Sequence, residues 1–174
     1  MRSVAAASGV TPMAIYGYYD SSAEMRSAGV DFALRRVRNP PLEGSVEARL
    51  RQWADAAWKV LHRHGDLVAV CLTDWPELPE GCRIMEGLLV VSATHTTRTE
   101  HQVQIAHAIF VYVLTRVIAE SAVLGRRTQR SFPKVGTGPR TFARLVELWP
   151  EFKRLDTERD FSTGLDVLLD GLLK

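Results

Sequence analysis

The sequence predicts an all-α fold, and three observations carry that expectation. Apolar residues recur at helical spacing along almost the whole chain, no alternating strand of useful length interrupts them, and caps and breakers stand where the periodic segments begin and end.

Residues 2 to 8 make a short Ala-rich helix stopped by Gly9. Thr11 followed by Pro12 is an N-cap with proline at the first helical position, so a second helix starts there and runs to about Tyr18. Ser21 and Glu24 form an S-x-x-E capping box that opens a third helix, on which Met25, Ala28, Phe32 and Ala33 share one face. Arg35, Arg36 and Arg38 crowd its end, read as a solvated helix terminus, and Asn39-Pro40-Pro41 stops it.

From Ser45 the apolar residues fall at Val46, Leu50, Trp53, Ala54, Ala57, Trp58 and Leu61, with Gly65 as the expected stop. A short helix over 66–73 follows, then a loop from Asp74 to Pro79, a helix over about 79–96 and a longer one over about 99–124. This last segment is apolar on most of its circumference and must be buried from several sides. The stretch 125–139, with Arg126, Arg127, Arg130, Gly136 and Gly138, reads as a mobile loop. Two final helices are expected over about 140–155, broken at Trp149-Pro150, and over 158–173.

Composition narrows the function classes. A chain of 174 residues that is 46% hydrophobic and 24% charged can bury one good core plus a small second unit, which excludes general disorder. A net charge of +2 is too mild to announce nucleic-acid binding by itself. Cys71 and Cys82 lack CxxC spacing and read as reduced thiols of a cytoplasmic protein. The most apolar run, Ile105 to Leu114, is interrupted by His107 within and stops well short of the ~20 residues a membrane span needs. No signal-peptide pattern opens the chain.

Two short helices joined through Gly9, with small Ala5 four residues earlier, resemble a helix-turn-helix. Alone that pattern is weak. The run Val4-Ala5-Ala6-Ala7-Ser8-Gly9-Val10-Thr11-Pro12-Met13-Ala14-Ile15-Tyr16-Gly17-Tyr18-Tyr19, followed by Asp20-Ser21-Ser22-Ala23-Glu24-Met25, resembles the signature of the TetR (tetracycline-repressor) family. The C-terminal run Phe161 to Leu172 is similar to the last helix of many members.

The resemblance implies a helix-turn-helix remnant over 1–38 and a helical-bundle ligand-binding and dimerisation domain over 42–174. It implies that Thr11, Pro12 and Met13 lie nearest base edges and that Tyr16 contacts a phosphate. Tyr18 stands where the family commonly has histidine, and Ser22 where it has a phosphate-binding lysine. Because the chain begins inside what would be the second helix, the first helix of the domain is expected to be absent and operator binding weakened. Trp53, Trp58, Met85, Leu88, Leu89, His107, Phe110 and Val111 are implied to surround an effector cavity. Such a set suits an apolar or amphipathic small molecule better than a strongly anionic one.

A homodimer is expected from the helix over 99–124, through Val117, Ser121 and Leu124, paired with the final helix. There Phe161, Leu165, Leu168, Leu169 and Leu172 form a stripe too wide for one helix to bury only at home, and Gly164 and Gly171 permit close approach. No cofactor and no metal site are expected: His95, His101 and His107 recur every six residues, which on one helix turns each by ~240° from the last. No nucleophile, carboxylate pair or phosphate loop supports an enzyme. The expected function is a ligand-responsive repressor that binds palindromic operator DNA as a dimer. The alternative from another class is a dimeric sensor or interaction protein that no longer binds DNA.

Overall fold

The computed structural model describes residues 2–125, 157–174 and, between them, Arg144, Glu147, Leu148, Pro150 and Glu151. Every regular element among the described residues is helical. The loop expected over 125–139 and most of the helix expected over 140–155 lie outside them.

Three helices precede the larger bundle: α1 (Arg2–Ser8), α2 (Pro12–Tyr16) and α3 (Ser22–Leu34). Gly17 caps α2 two residues earlier than the expected end. The buried face of α3 differs from the expected one. Val30, Ala33 and Leu34, with Val37 just beyond, are buried against the larger bundle, while Phe32 is 61% exposed and Met25 and Ala28 are half-buried. Residues 25, 28, 29 and 32 and residues 30, 33, 34 and 37 both satisfy the i, i+3, i+4, i+7 spacing, so periodicity alone could not choose between the stripes.

The bundle opens with α4 (Val46–Leu61), whose start is capped by Ser45 accepting from the Ala48 N–H. Gly65 does not stop the chain: a 3-10 turn over His62–His64 leads straight into α5 (Gly65–Val68). The single helix expected over 66–73 is divided into α5 and α6 (Cys71–Asp74), and the expected loop after it contains a 3-10 turn over Trp75–Glu77. Then come α7 (Pro79–Ala93), α8 (Thr99–Gly125) and α9 (Thr157–Leu172).

Helix α8 is the axis of the molecule, packed by α4, α5, α7 and α9. Ile105, Ala106, Ile109, Phe110, Val113, Leu114 and Val117 all lie in the core. They meet Leu50, Ala54, Ala57 and Leu61 of α4, Ile84, Leu88 and Val91 of α7, and Phe161, Leu165 and Leu169 of α9 within one apolar cluster. Each large side chain buried there contributes roughly 1.5–3 kcal/mol. The stretch Thr99–Glu120, 22 residues at mean hydropathy 1.4, is long and apolar enough by length and composition to cross a membrane, which the shorter run counted from the sequence concealed. In this fold one side of that stretch is buried against neighbouring helices, while Val103 on the other is 52% exposed.

Helix α9 is held by specific polar contacts as well as by its leucines. The Tyr112 hydroxyl donates to the Phe161 carbonyl at 2.7 Å, Arg116 pairs with Asp160 at 2.7 Å, and a ring nitrogen of His101 lies 2.9 Å from the Leu172 carbonyl. Gly164 is what lets Tyr112 approach, because a Cβ there would run into the tyrosine hydroxyl. That glycine, expected to admit a partner helix, serves packing within the chain. Replacing Gly164 by Ala is expected to destabilise the fold by about 1–3 kcal/mol through overpacking. Gly171→Ala, which meets no atom within 4 Å, should be neutral or gain up to ~1 kcal/mol of helix propensity. Denaturant melts of the two variants compare them directly.

Candidate functional site

The N-terminal unit is built around one left-handed glycine. Gly9 adopts φ +67°, and the Val10 N–H then donates to the Ala5 carbonyl at 3.0 Å, closing α1. Ala5 is buried at this crossing, as its small size requires. Helix α2 begins with the Thr11 hydroxyl accepting from the Ala14 N–H at 3.2 Å and Pro12 in its first turn. Only Ile15 of α2 is buried. Met13 is 79% exposed, Tyr16 52% and Tyr18 83%.

Thr11, Pro12 and Ser22 are exposed as well, so all six residues singled out in the sequence stand on the surface of the α1–α3 unit. At the start of α3 the Glu24 N–H donates to Ser21 while Glu24 in turn accepts from the Asp20 N–H at 2.6 Å. Arg26 reaches the Ser22 hydroxyl at 3.5 Å, so a cation stands beside the position where a basic residue was expected and serine is found.

Behind these helices lies a groove of about 680 Å³ whose lining includes Val4, Ile15, Tyr19, Met25, Phe32 and Leu67. Its floor is the second apolar stripe of α3, which the sequence showed and burial in the bundle did not absorb.

In the larger bundle the implied effector residues divide by position. Trp53, Met85, Leu88 and Phe110 are buried in the common core, Trp58 and Leu89 are half-buried against it, and Val111 is half-buried. His107 is exposed, one turn after Val103 on α8 and at the edge of the face that carries Phe110. Trp75, which the sequence reading passed over as a loop residue, sets its ring edge-on to Phe110 at 6.0 Å. The Trp53 ring nitrogen is buried without a hydrogen-bond partner, which leaves a donor unspent in an apolar setting.

The sequence reading also missed Glu120, which lies on the buried side of α8 three residues after Val117. Its Oε2 accepts from the Trp58 ring N–H at 2.8 Å, and Arg116 stands 3.7 Å from its other oxygen. Trp58 is stacked between His62 and Phe161, each at 5.3 Å between ring centres. Burial pushes the Glu120 carboxyl above its ordinary range, opposed by the Trp58 N–H and by Arg116.

The family model described as "Tetracyclin repressor-like, C-terminal domain" matches residues 39–174. The chain belongs to the tetracyclin repressor-like family. A possible TetR family transcriptional regulator from Streptomyces coelicolor A3(2) superposes with a TM-score of 0.79 at 20% identity, over 98% of this chain and 87% of that one. ActR from Streptomyces coelicolor in complex with actinorhodin gives 0.78 at 21%, over 99% and 86%. Apo ActR gives 0.76 at 21%, over 99% and 85%. At such identities the likeness is one of fold. No curated protein matches the chain.

The stripe expected at a dimer contact is largely buried within the chain. Val117, Phe161, Leu165 and Leu169 are buried in the chain's own core, because α9 packs on both α4 and α8. Leu168 and Leu172 are half-buried, and the side chains of Ser121 and Leu124 lie outside the described residues. What faces outward instead is Val103 and His107 on α8 and Val167, 70% exposed, on α9. His95 does not belong to α8, so the six-residue rotation does not apply to it. It sits in the turn after α7, where its ring meets that of His101 edge-on at 5.8 Å.

The raised Glu120 pKa has a sign that can be measured. Its stabilising contribution is fully present below the ordinary carboxylate value of 4.5 and is lost as pH rises through the higher folded value. Glu120→Gln, which keeps an acceptor for Trp58, should therefore gain stability relative to the parent chain as the pH is raised from 4 to 8. Paired denaturant melts across that range read the difference; a constant gap between the two chains at every pH would contradict it.

Proposed function

We propose that the chain is an effector-responsive transcription regulator acting in the cytoplasm as a homodimer. Residues 1–38 present α2 to DNA, and residues 42–174 hold the effector and the dimer contact. The observation that carries this reading is the exposure of Met13, Tyr16 and Tyr18 around α2, which turns only Ile15 inward and is joined by α3 to the family's domain. A helix start presented to solvent, a phenol one turn on and the Arg26 cation on α3 are suited to a phosphate backbone and the edge of the major groove.

ActR has been crystallised with actinorhodin and with (S)-DNPA, which supports the reading of this chain as one that binds an effector. Trp53, Met85, Leu88 and Phe110 favour an apolar or amphipathic molecule, and the unspent Trp53 N–H favours one with a hydrogen-bond acceptor.

Selection from a pool of random palindromic duplexes, followed by fluorescence anisotropy at several salt concentrations, tests the DNA arm. The logarithm of the affinity should fall linearly with log salt, and Tyr16→Ala should weaken binding about tenfold, roughly 1.4 kcal/mol. Absence of any selected sequence would overturn this arm in favour of a dimeric sensor without DNA. Because Val167 is exposed within one chain, Val167→Asp should leave folding intact and shift sedimentation from dimer to monomer.

A further inference from the structure

Helix α7 has no N-cap side chain of its own and α3 has no basic residue in its last turn, and each supplies what the other lacks. Leu78 precedes α7 and offers no side-chain acceptor, and Pro79 has no N–H, so the first free donor of that helix is the Glu80 N–H. It is accepted by Asp31 of α3 at 2.9 Å. In return α3 has no basic residue in its last turn, and its terminal carbonyls are bonded from α7. Arg83 donates to the Val37 carbonyl at 2.7 Å and the Leu34 carbonyl at 3.3 Å, and to the Asn39 side chain at 2.6 Å.

The same contact is closed laterally. Glu80 pairs with Arg83 and lies 3.9 Å from Arg35, which also reaches Asp31 at 3.7 Å. One turn beyond Arg83, Gly87 admits the linker: a Cβ there would stand 3.0 Å from Asn39 and 3.1 Å from Pro40. The linker between the two units is thus seated on α7 and fixed at both of its polar ends.

We propose that Arg83 and Asp31 are positioning residues that hold α1–α3 in one orientation on the bundle, so that α7 sets where α2 points. This rests on the reading of the chain as a DNA-binding regulator. Met85 and Leu88, two of the buried residues proposed to face the effector, lie on the same helix within two turns of Arg83. A shift of α7 there moves the caps that α3 depends on, and α3 carries α1 and α2 with it.

The test is an intramolecular distance that needs neither DNA nor effector. Nitroxide labels are placed at the exposed positions Ala6→Cys on α1 and Ala56→Cys on α4, in a Cys82→Ser background, with labelled chains diluted in unlabelled ones. Cys71 stays unlabelled because it is buried and its thiol is pushed up to about 12.

Pulsed electron resonance should give one narrow distance in the parent. Arg83→Ala and Asp31→Ala should each broaden and shift it, Asp31→Asn, which retains the acceptor, should restore it, and Arg51→Ala, which loses ion pairs elsewhere on the bundle, should leave it narrow. Should Arg83→Ala fail to fold, the Asp31 pair carries the same comparison. An unchanged narrow distance in folded Arg83→Ala or Asp31→Ala overturns the proposal. A broadened distance in a chain that binds no selected duplex upholds the clasp and refutes the DNA reading instead. Where a duplex is bound, the two alanine variants should bind it about tenfold more weakly, roughly 1.4 kcal/mol.

Discussion

The described helices of the larger bundle are arranged around α8. A helix whose apolar residues extend round most of its circumference cannot be satisfied by one neighbour, and four helices close on it here. This one demand fixes the position of α4, brings α7 alongside, and draws α9 back across the chain from the far end of the sequence. It also accounts for the fate of the leucines on α9. A stripe that looked wide enough for two chains is largely consumed at home, since α9 packs on α4 through Phe161 and Trp58 and on α8 through Tyr112 and Gly164.

Polar groups then specify what burial alone leaves open. Apolar packing is tolerant of small rotations, whereas a tyrosine hydroxyl bonded to one carbonyl, or an arginine forked over two, is not. Glu120 shows the cost of such specification. Its carboxylate is desolvated, and Trp58 and Arg116 offset that only in part, so the group titrates high. The gain is registry: Trp58 of α4, Arg116 and Glu120 of α8 and Asp160 of α9 meet in one network.

Much of this was legible in the residues, for reasons that differ by element. The turn at Gly9, the caps at Thr11, Ser21 and Ser45 and the core face of α4 were readable because local chemistry decides them within four residues. The face of α3 was not, since two stripes on that helix obey the same spacing and only the neighbouring bundle selects between them. Nor was the role of Gly164, whose partner Tyr112 lies far away in sequence. The exposure of His107 was not legible because an interruption in an apolar run suggests a polar group turned inward, whereas on this helix it marks where the cover ends. Trp75, Glu120 and Arg83 escaped notice because none belongs to a motif: their significance arises only from which helix ends the fold brings together.

The energetics of the clasp between α3 and α7 bear on how a signal could cross it. A ligand shifts a conformational equilibrium only by its differential affinity for the two states, and couplings between sites are typically ~1–3 kcal/mol. Exposed ion pairs such as Arg35 with Glu80 contribute at most about 1 kcal/mol and could be broken without consequence. The backbone caps are different. Releasing Asp31 leaves the Glu80 N–H without its acceptor, and releasing Arg83 removes its 2.7 Å bond to the Val37 carbonyl, in a half-buried contact, at roughly 1–3 kcal/mol for each group that finds no water. That is the same size as a usual coupling energy. A contact much weaker would let the DNA-reading helices wander regardless of effector, and one much stronger could not be opened by any ordinary ligand. Reciprocal capping is a means of placing the contact between those limits, because it adds a few directional bonds to the apolar seat that Val30, Leu34 and Val37 already give α3 on the bundle.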